Sequence, residues 1–90
     1  MFEPSLDLYF SALGHPIRRL VLARLARGPA SVTELAAAHS IALPSFLAHL
    51  KKLETAGLNS SLITGRTRTC ALTPTAFTPA QDWLDQQRQI

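Results

Sequence analysis

The segment from Ser31 to Gly57 constrains the fold more than any other part of the chain. Ser31 is followed three positions later by Glu34, the form of a capping box, in which each side chain satisfies an orphan amide at the start of a short helix. That helix holds Leu35 and Ala36 and is expected to end near His39. The linking residues Ser40 to Ala42 precede a longer amphipathic helix in which Phe46, Leu50 and Leu53 share one face, with Gly57 as its C-terminal stop. Two helices joined by so short a link, the longer one second, predict a helix-turn-helix.

The flanks divide as cleanly. Leu6, Tyr9, Phe10 and Leu13 have the i, i+3, i+4, i+7 spacing of a helix stripe that Gly14 ends. Pro16 suits the first position of a second helix, expected over residues 16–27, with Ile17, Leu20, Val21 and Leu25 on one face until Gly28-Pro29. Beyond Gly57 the helical period stops, and LNSSLI and RTRTCAL read as two strands around a turn at Thr64-Gly65. Pro74 ends the second strand, and Thr78-Pro79 supplies a cap and first-turn proline for a last helix bearing Trp83 and Leu84. The expected fold is mainly α with a small β-hairpin, in the order α-α-α-α-β-β-α.

Ninety residues give room for one domain, expected to span 1–90, because a second core would leave neither half enough apolar surface to bury. The hydrophobic share of 47% and charged share of 17% place the chain among folding globular proteins rather than disordered tails. A domain this small buries only about 60% of the surface its unfolded chain exposes, so joining a second copy is a natural source of stability.

Charge is unevenly placed. Between His15 and Cys70 stand eight basic residues against Glu34 and Glu54, net +6, whereas the two ends carry four acids against Arg88, net −3. The centre favours a polyanion partner. Cys70 is the only cysteine, so no intrachain disulfide can form and a cytoplasmic location is expected. The N-terminus MFEPSLDLYF carries acids and no Lys or Arg, unlike a signal peptide, and no apolar run approaches ~20 residues, so no membrane association is expected.

A helix-turn-helix reads DNA by laying its second helix in the major groove. With Phe46, Leu50 and Leu53 inward, the outward arc at about 100° per residue holds Pro44, Ser45, Ala48, Lys51, Lys52 and Thr55, with no acid among them. Lys51 and Lys52 suit phosphates, Ser45 a base or a phosphate, and Ala48 a thymine methyl. His49 falls about 60° from the centre of the inward face and is either a hydrogen-bonded half-buried residue or a base reader. Leu43 and Leu47 lie at the core's edge. Arg66 and Arg68, two apart on a strand, are expected to share a face at the hairpin tip, beside the duplex backbone or in its minor groove.

The run ALGHPIRRLVLARLARGPASVTELAAAHSIALPSFLAHLKKLETAGL, followed by the GRTRTCAL hairpin, resembles the ArsR-type winged helix-turn-helix repressors over about residues 5–90. Its most specific parts are ALGHPIRRLVL and HLKKLETAGL. The resemblance implies a homodimer built from the ends, 1–14 and 75–90, for which Leu6, Tyr9, Phe10, Leu13, Phe77, Trp83 and Leu84 are the candidate interface residues. It implies a helix-turn-helix over 31–56, a wing over 58–73, and a recognition helix from Leu43 to Thr55. It also implies repression at a near-palindromic double-stranded operator, relieved by a ligand or signal. The recognition positions it carries over are Ser45, Ala48, His49 and Lys51, with Gly65, Arg66 and Arg68 in the wing.

Three departures qualify the match. Metal-sensing members commonly have a Cys-x-Cys pair on the positioning helix, which here reads ELAAAHS; others bind zinc through the last helix, which here offers Asp82 and Asp85 but no histidine. With His15, His39 and His49 on three separate elements, no metal and no cofactor are expected. Cys70 beside Leu72 is expected as a small core residue rather than a redox sensor. Lastly, Ser60 and Leu62 stand where the family often has Arg, and Ala42 where it has a polar cap.

Those departures, with apolar Leu43, Leu47 and Leu62, motivate a second reading: a winged-helix interaction module that binds protein rather than DNA. An enzyme is not expected, since no Ser/His/Asp set, phosphate loop or paired carboxylates can be assembled from this order of residues. No feature points to a particular inducer.

Overall fold

The computed structural model describes residues 5–89. Helix α1, Leu6–Leu13, is capped by Ser5, whose side chain accepts from the Asp7 amide at 3.1 Å, and ends at Gly14. Helix α2, Pro16–Leu25, starts on the His15 ring, where Nδ1 accepts from the Ile17 amide at 3.1 Å, and closes two residues earlier than the 16–27 expected. Ala30–Ser31 forms a two-residue strand, β1. Helix α3, Val32–Ala37, carries the reciprocal Ser31–Glu34 capping box and stops before His39. Helix α4 spans Leu43–Thr55, the expected bounds, and Ala42 at its N-cap gives no side-chain hydrogen bond.

Gly57 (φ 76°) turns the chain into strand β2, Asn59–Thr64, which pairs antiparallel with β3, Thr67–Leu72. The sheet order is β1-β3-β2, with Ala30 opposite Cys70 and Ser31 opposite Thr69. The order is therefore α-α-β-α-α-β-β-α; β1 is too short to leave a period-2 signal. Thr64 pairs with Thr67, so the turn is Gly65-Arg66 rather than Thr64-Gly65. Gly65 at φ 62° in the first central position, with no positive φ at Arg66, is the pattern of a II′ turn. Helix α5, Thr78–Arg88, begins at Thr78 with Phe77 as its N-cap, so Thr78 is the first helical residue and not the cap.

The core runs through α4: Phe46, Leu50 and Leu53 are fully buried with Leu58, Val21 and Cys70. Burial of a residue such as Leu50 contributes roughly 1.5–3 kcal/mol. On α2 the inward stripe is Arg18, Val21, Leu22 and Leu25, while Leu20, expected inward, is 59% exposed. The stripe is rotated so that Arg18 and Leu22 are buried and Leu20 is not, while Ile17 stays half-buried at its edge. Tyr9, placed with the interface residues by the resemblance, instead lies in the core of its own chain and donates its hydroxyl to the Ala76 carbonyl at 2.6 Å. Burial pushes its phenol above the ordinary value. Leu13 is half-buried against the same core. No described helix is long and apolar enough to cross a membrane.

Candidate nucleic-acid interface

Two elements build the site. α4 is held by its fully buried Phe46–Leu50–Leu53 face, so its opposite side is set by helical geometry alone: Pro44, Ser45, Ala48, Lys51, Lys52 and Thr55 are all exposed. Ala48, Lys51, Lys52 and Thr55 border a groove of about 380 Å³ whose other wall is Leu8, Ser11 and Ala12 of α1. The first turn of α4, Leu43 to Ser45, lies outside that groove. The second element is the hairpin tip, where Gly65 and Arg66 occupy the turn and are exposed.

His49 is half-buried and turned toward α2. Its Nδ1 lies 2.9 Å from Arg18 Nη1, and its ring centroid 4.3 Å from that of His15. A guanidinium can only donate, so Nδ1 accepts and the proton resides on Nε2. Burial holds His49 below the usual histidine range, reinforced by His15, Arg18, Lys52 and His39. The other histidines are also occupied: His15 Nδ1 caps α2, and the His39 ring stacks on Phe46 at 5.6 Å. Among the described residues, no three or more His, Cys, Asp or Glu side chains are grouped to hold a metal ion. Cys70 is fully buried, and burial pushes its thiol up, away from the reactive thiolate.

The expected pairing of Arg66 with Arg68 on one strand face does not occur. Arg66 belongs to the turn, whereas Arg68 on β3 points back to α4, with Nη2 2.6 Å from Glu54 Oε1 and Nε 3.0 Å from Ser61 Oγ. Ser61 in turn donates to Glu54 Oε1 at 2.9 Å. Glu54 and Ser61 are the residues that sequence reasoning missed here, because a pairing between positions 54 and 68 leaves no local pattern.

These two elements sit in a framework met elsewhere. The helix-turn-helix domain family matches residues 13–58, and the HTH-type transcriptional regulator Rv2034 of Mycobacterium tuberculosis is 37% identical over 82 residues, 91% of this chain and 77% of that protein. The crystal structure of the ArsR family transcriptional regulator RHA00566 superposes with a TM-score of 0.90 at 46% identity, covering 93% of this chain and 92% of that one. The chain belongs to the ArsR family. Its fold is the family's winged helix-turn-helix, with α3 and α4 as the helix pair and β2–β3 as the wing. Both of these relatives are transcriptional regulators rather than enzymes. The homodimeric winged helix-turn-helix DNA-binding domain Mb0332 of Mycobacterium bovis, solved by NMR, shares the ArsR fold at 23% identity, with a TM-score of 0.74 over 93% of this chain and 82% of that one.

Proposed function

We infer that this chain binds operator DNA as a homodimer and represses transcription in the cytoplasm, with release on a signal. The observation that carries this reading is α4 itself: one face is fully buried, and the other presents Ser45, Ala48, Lys51 and Lys52 without an acidic neighbour on that arc. Laid in a major groove, that arc brings Ser45 and Ala48 toward base edges and the two lysines toward phosphates, while Arg66 on the wing reaches the flanking backbone or minor groove.

Dimerisation is supported by α5, which has no buried residue in the isolated chain although it carries Trp83 and Leu84. Leu6, Phe10, Phe77, Trp83 and Leu84 are all exposed, and Phe10 meets Trp83 edge to face at 5.9 Å. A second copy covering this apolar surface gives the ends of the chain, 1–14 and 75–90, the dimerisation role and the segments 31–56 and 58–73 the DNA-reading role. Residues 1–4 and 90 lie outside the described structure. Mb0332 is homodimeric, and a twofold assembly of this kind reads half-sites about one helical turn apart, ~34–36 Å, in a near-palindromic operator.

The test is binding to sites selected from a randomised duplex pool, followed by a salt series. If a dimer neutralises ~6–8 phosphates, log affinity falls against log salt with a slope near −5 to −7. Lys51→Ala with Arg66→Ala is expected to abolish retardation while the dimer persists. The competing reading, a protein-binding module, draws support from the wing strand, where Leu62 and Ile63 are 71% and 69% exposed. Failure to enrich any duplex would favour it.

A further inference from the structure

We propose that Glu54 and Arg68 form a strut that sets the angle between α4 and the wing, so that Arg68 is a positioning residue and not a phosphate contact. The proposal rests on the DNA-binding reading above and deepens it. The outer wing has little else to hold it. Every β2 residue after Asn59 is exposed, and β1 braces the hairpin on the β3 side only, at mid-strand Thr69 and Cys70, leaving β2 and the tip without a neighbouring strand there. Among the described residues, the side-chain hydrogen bonds linking the wing to a helix all converge on Glu54 Oε1: one from Arg68 Nη2 and one from Ser61 Oγ, with Arg68 Nε donating to Ser61 to close the triangle.

The three groups come from three elements: the last turn of α4, β2 and β3. Ser61 faces Cys70 across the ladder and Arg68 faces Ile63, so both strands of the hairpin are tied to the same carboxylate oxygen. Glu54 and Arg68 are 27% and 35% exposed, a half-sheltered setting in which a charge-assisted contact at 2.6 Å retains strength that a fully solvated pair loses. An Arg68 spent in this way adds no free charge for DNA, and its value lies in where it holds Arg66.

The sign of the Glu54 effect decides the matter. If Glu54 were a bystander near the duplex, Glu54→Gln would remove a negative charge and tighten binding. The strut predicts the reverse: Glu54→Gln and Arg68→Leu each weaken binding to the pool-selected duplex about three- to tenfold, and the double variant is no weaker than either single. The salt slope should be unchanged in Arg68→Leu and reduced by about 1.8 in Arg66→Ala, about 0.9 for each of the two wings of the dimer. Tighter binding by Glu54→Gln, additive losses, or a slope loss at Arg68 would each overturn the proposal. A second readout needs no DNA: in the free protein, Arg68 should show a protected side-chain Nη–H resonance, from the nitrogen that meets Glu54, that Glu54→Gln abolishes, and an unprotected or unaltered resonance would overturn the strut. Failure of the unmodified protein to bind any duplex would instead overturn the DNA-binding reading and leave the resonance to judge the strut.

Discussion

Arg18 reaches His49 with Nη1, 2.9 Å from the imidazole Nδ1, while its Nε and Nη2 hydrogen-bond the carbonyls of Ala12 and Ser11 at 2.8 and 2.9 Å. One side chain thereby satisfies carbonyls at the C-terminal end of α1 and braces α4 from behind. The cation lies where the α1 dipole favours it, and at 6% exposure it is as enclosed as its apolar neighbours.

Arg18→Met should therefore be costly. It strands the Ala12 carbonyl and one imidazole nitrogen, while the Ser11 carbonyl keeps the Gly14 amide, for an expected loss of about 2–4 kcal/mol. In a domain of this size each kcal/mol shifts Tm by roughly 4–8 °C, so thermal unfolding should show a drop of ten degrees or more. A change of under about 2 °C would deny Arg18 its structural role.

His49 predicts the acid limb of the stability curve. Its pKa is lower in the folded chain than in the unfolded one, so the unfolded state takes up the proton more readily and stability rises with pH. The contribution is fully present above the unfolded value of about 6.5 and is lost as pH falls through the lower folded value. Denaturant melts should give weaker folding at about pH 5.5 than at about pH 7.5, and His49→Asn should flatten that dependence. An unaltered pH profile in the variant would contradict the assignment.

Asn59 is only 4% exposed, and neither its side-chain oxygen nor its nitrogen has a hydrogen-bond partner. An apolar replacement of similar volume removes the desolvation cost of those atoms, about 1–3 kcal/mol. Asn59→Leu is expected to raise Tm, as differential scanning calorimetry would show.

The α1–α5 surface is expected to carry self-association. Phe10→Ser with Trp83→Ser removes the edge-to-face pair and lowers the apolar area without replacing a buried side chain. Sedimentation should find the unmodified protein dimeric and the double variant monomeric with unchanged helix content. A variant that remains dimeric would move the interface elsewhere.

Much of this architecture was legible in local chemistry. The Ser31–Glu34 box, the Phe46–Leu50–Leu53 stripe and Gly57 each obey rules that need no tertiary context, and α4 falls on the expected Leu43–Thr55. What escaped depended on distant partners. The α2 stripe begins at Arg18, which looks like a surface residue until Ser11, Ala12 and His49 surround it. Tyr9 shares its spacing with Phe10, yet only Tyr9 finds a carbonyl, that of Ala76, 67 residues away.

The wing shows the same limit. A one-residue shift of the turn, from Thr64-Gly65 to Gly65-Arg66, moves Arg66 off the strand and leaves Arg68 facing the helix. Strand alternation correctly separates faces only after the turn is placed. β1 exists because Ala30 and Ser31 lie alongside Cys70 and Thr69, a pairing that two residues cannot advertise.

Backbone NMR of the protein titrated with a pool-selected duplex tests most directly whether α4 and the wing meet DNA together. Shift changes concentrated at Ser45 to Lys52 and at Gly65 and Arg66 are expected, with α5 unaffected. Changes confined to the α1–α5 surface, or none at either α4 or the wing tip, would contradict DNA reading by this face.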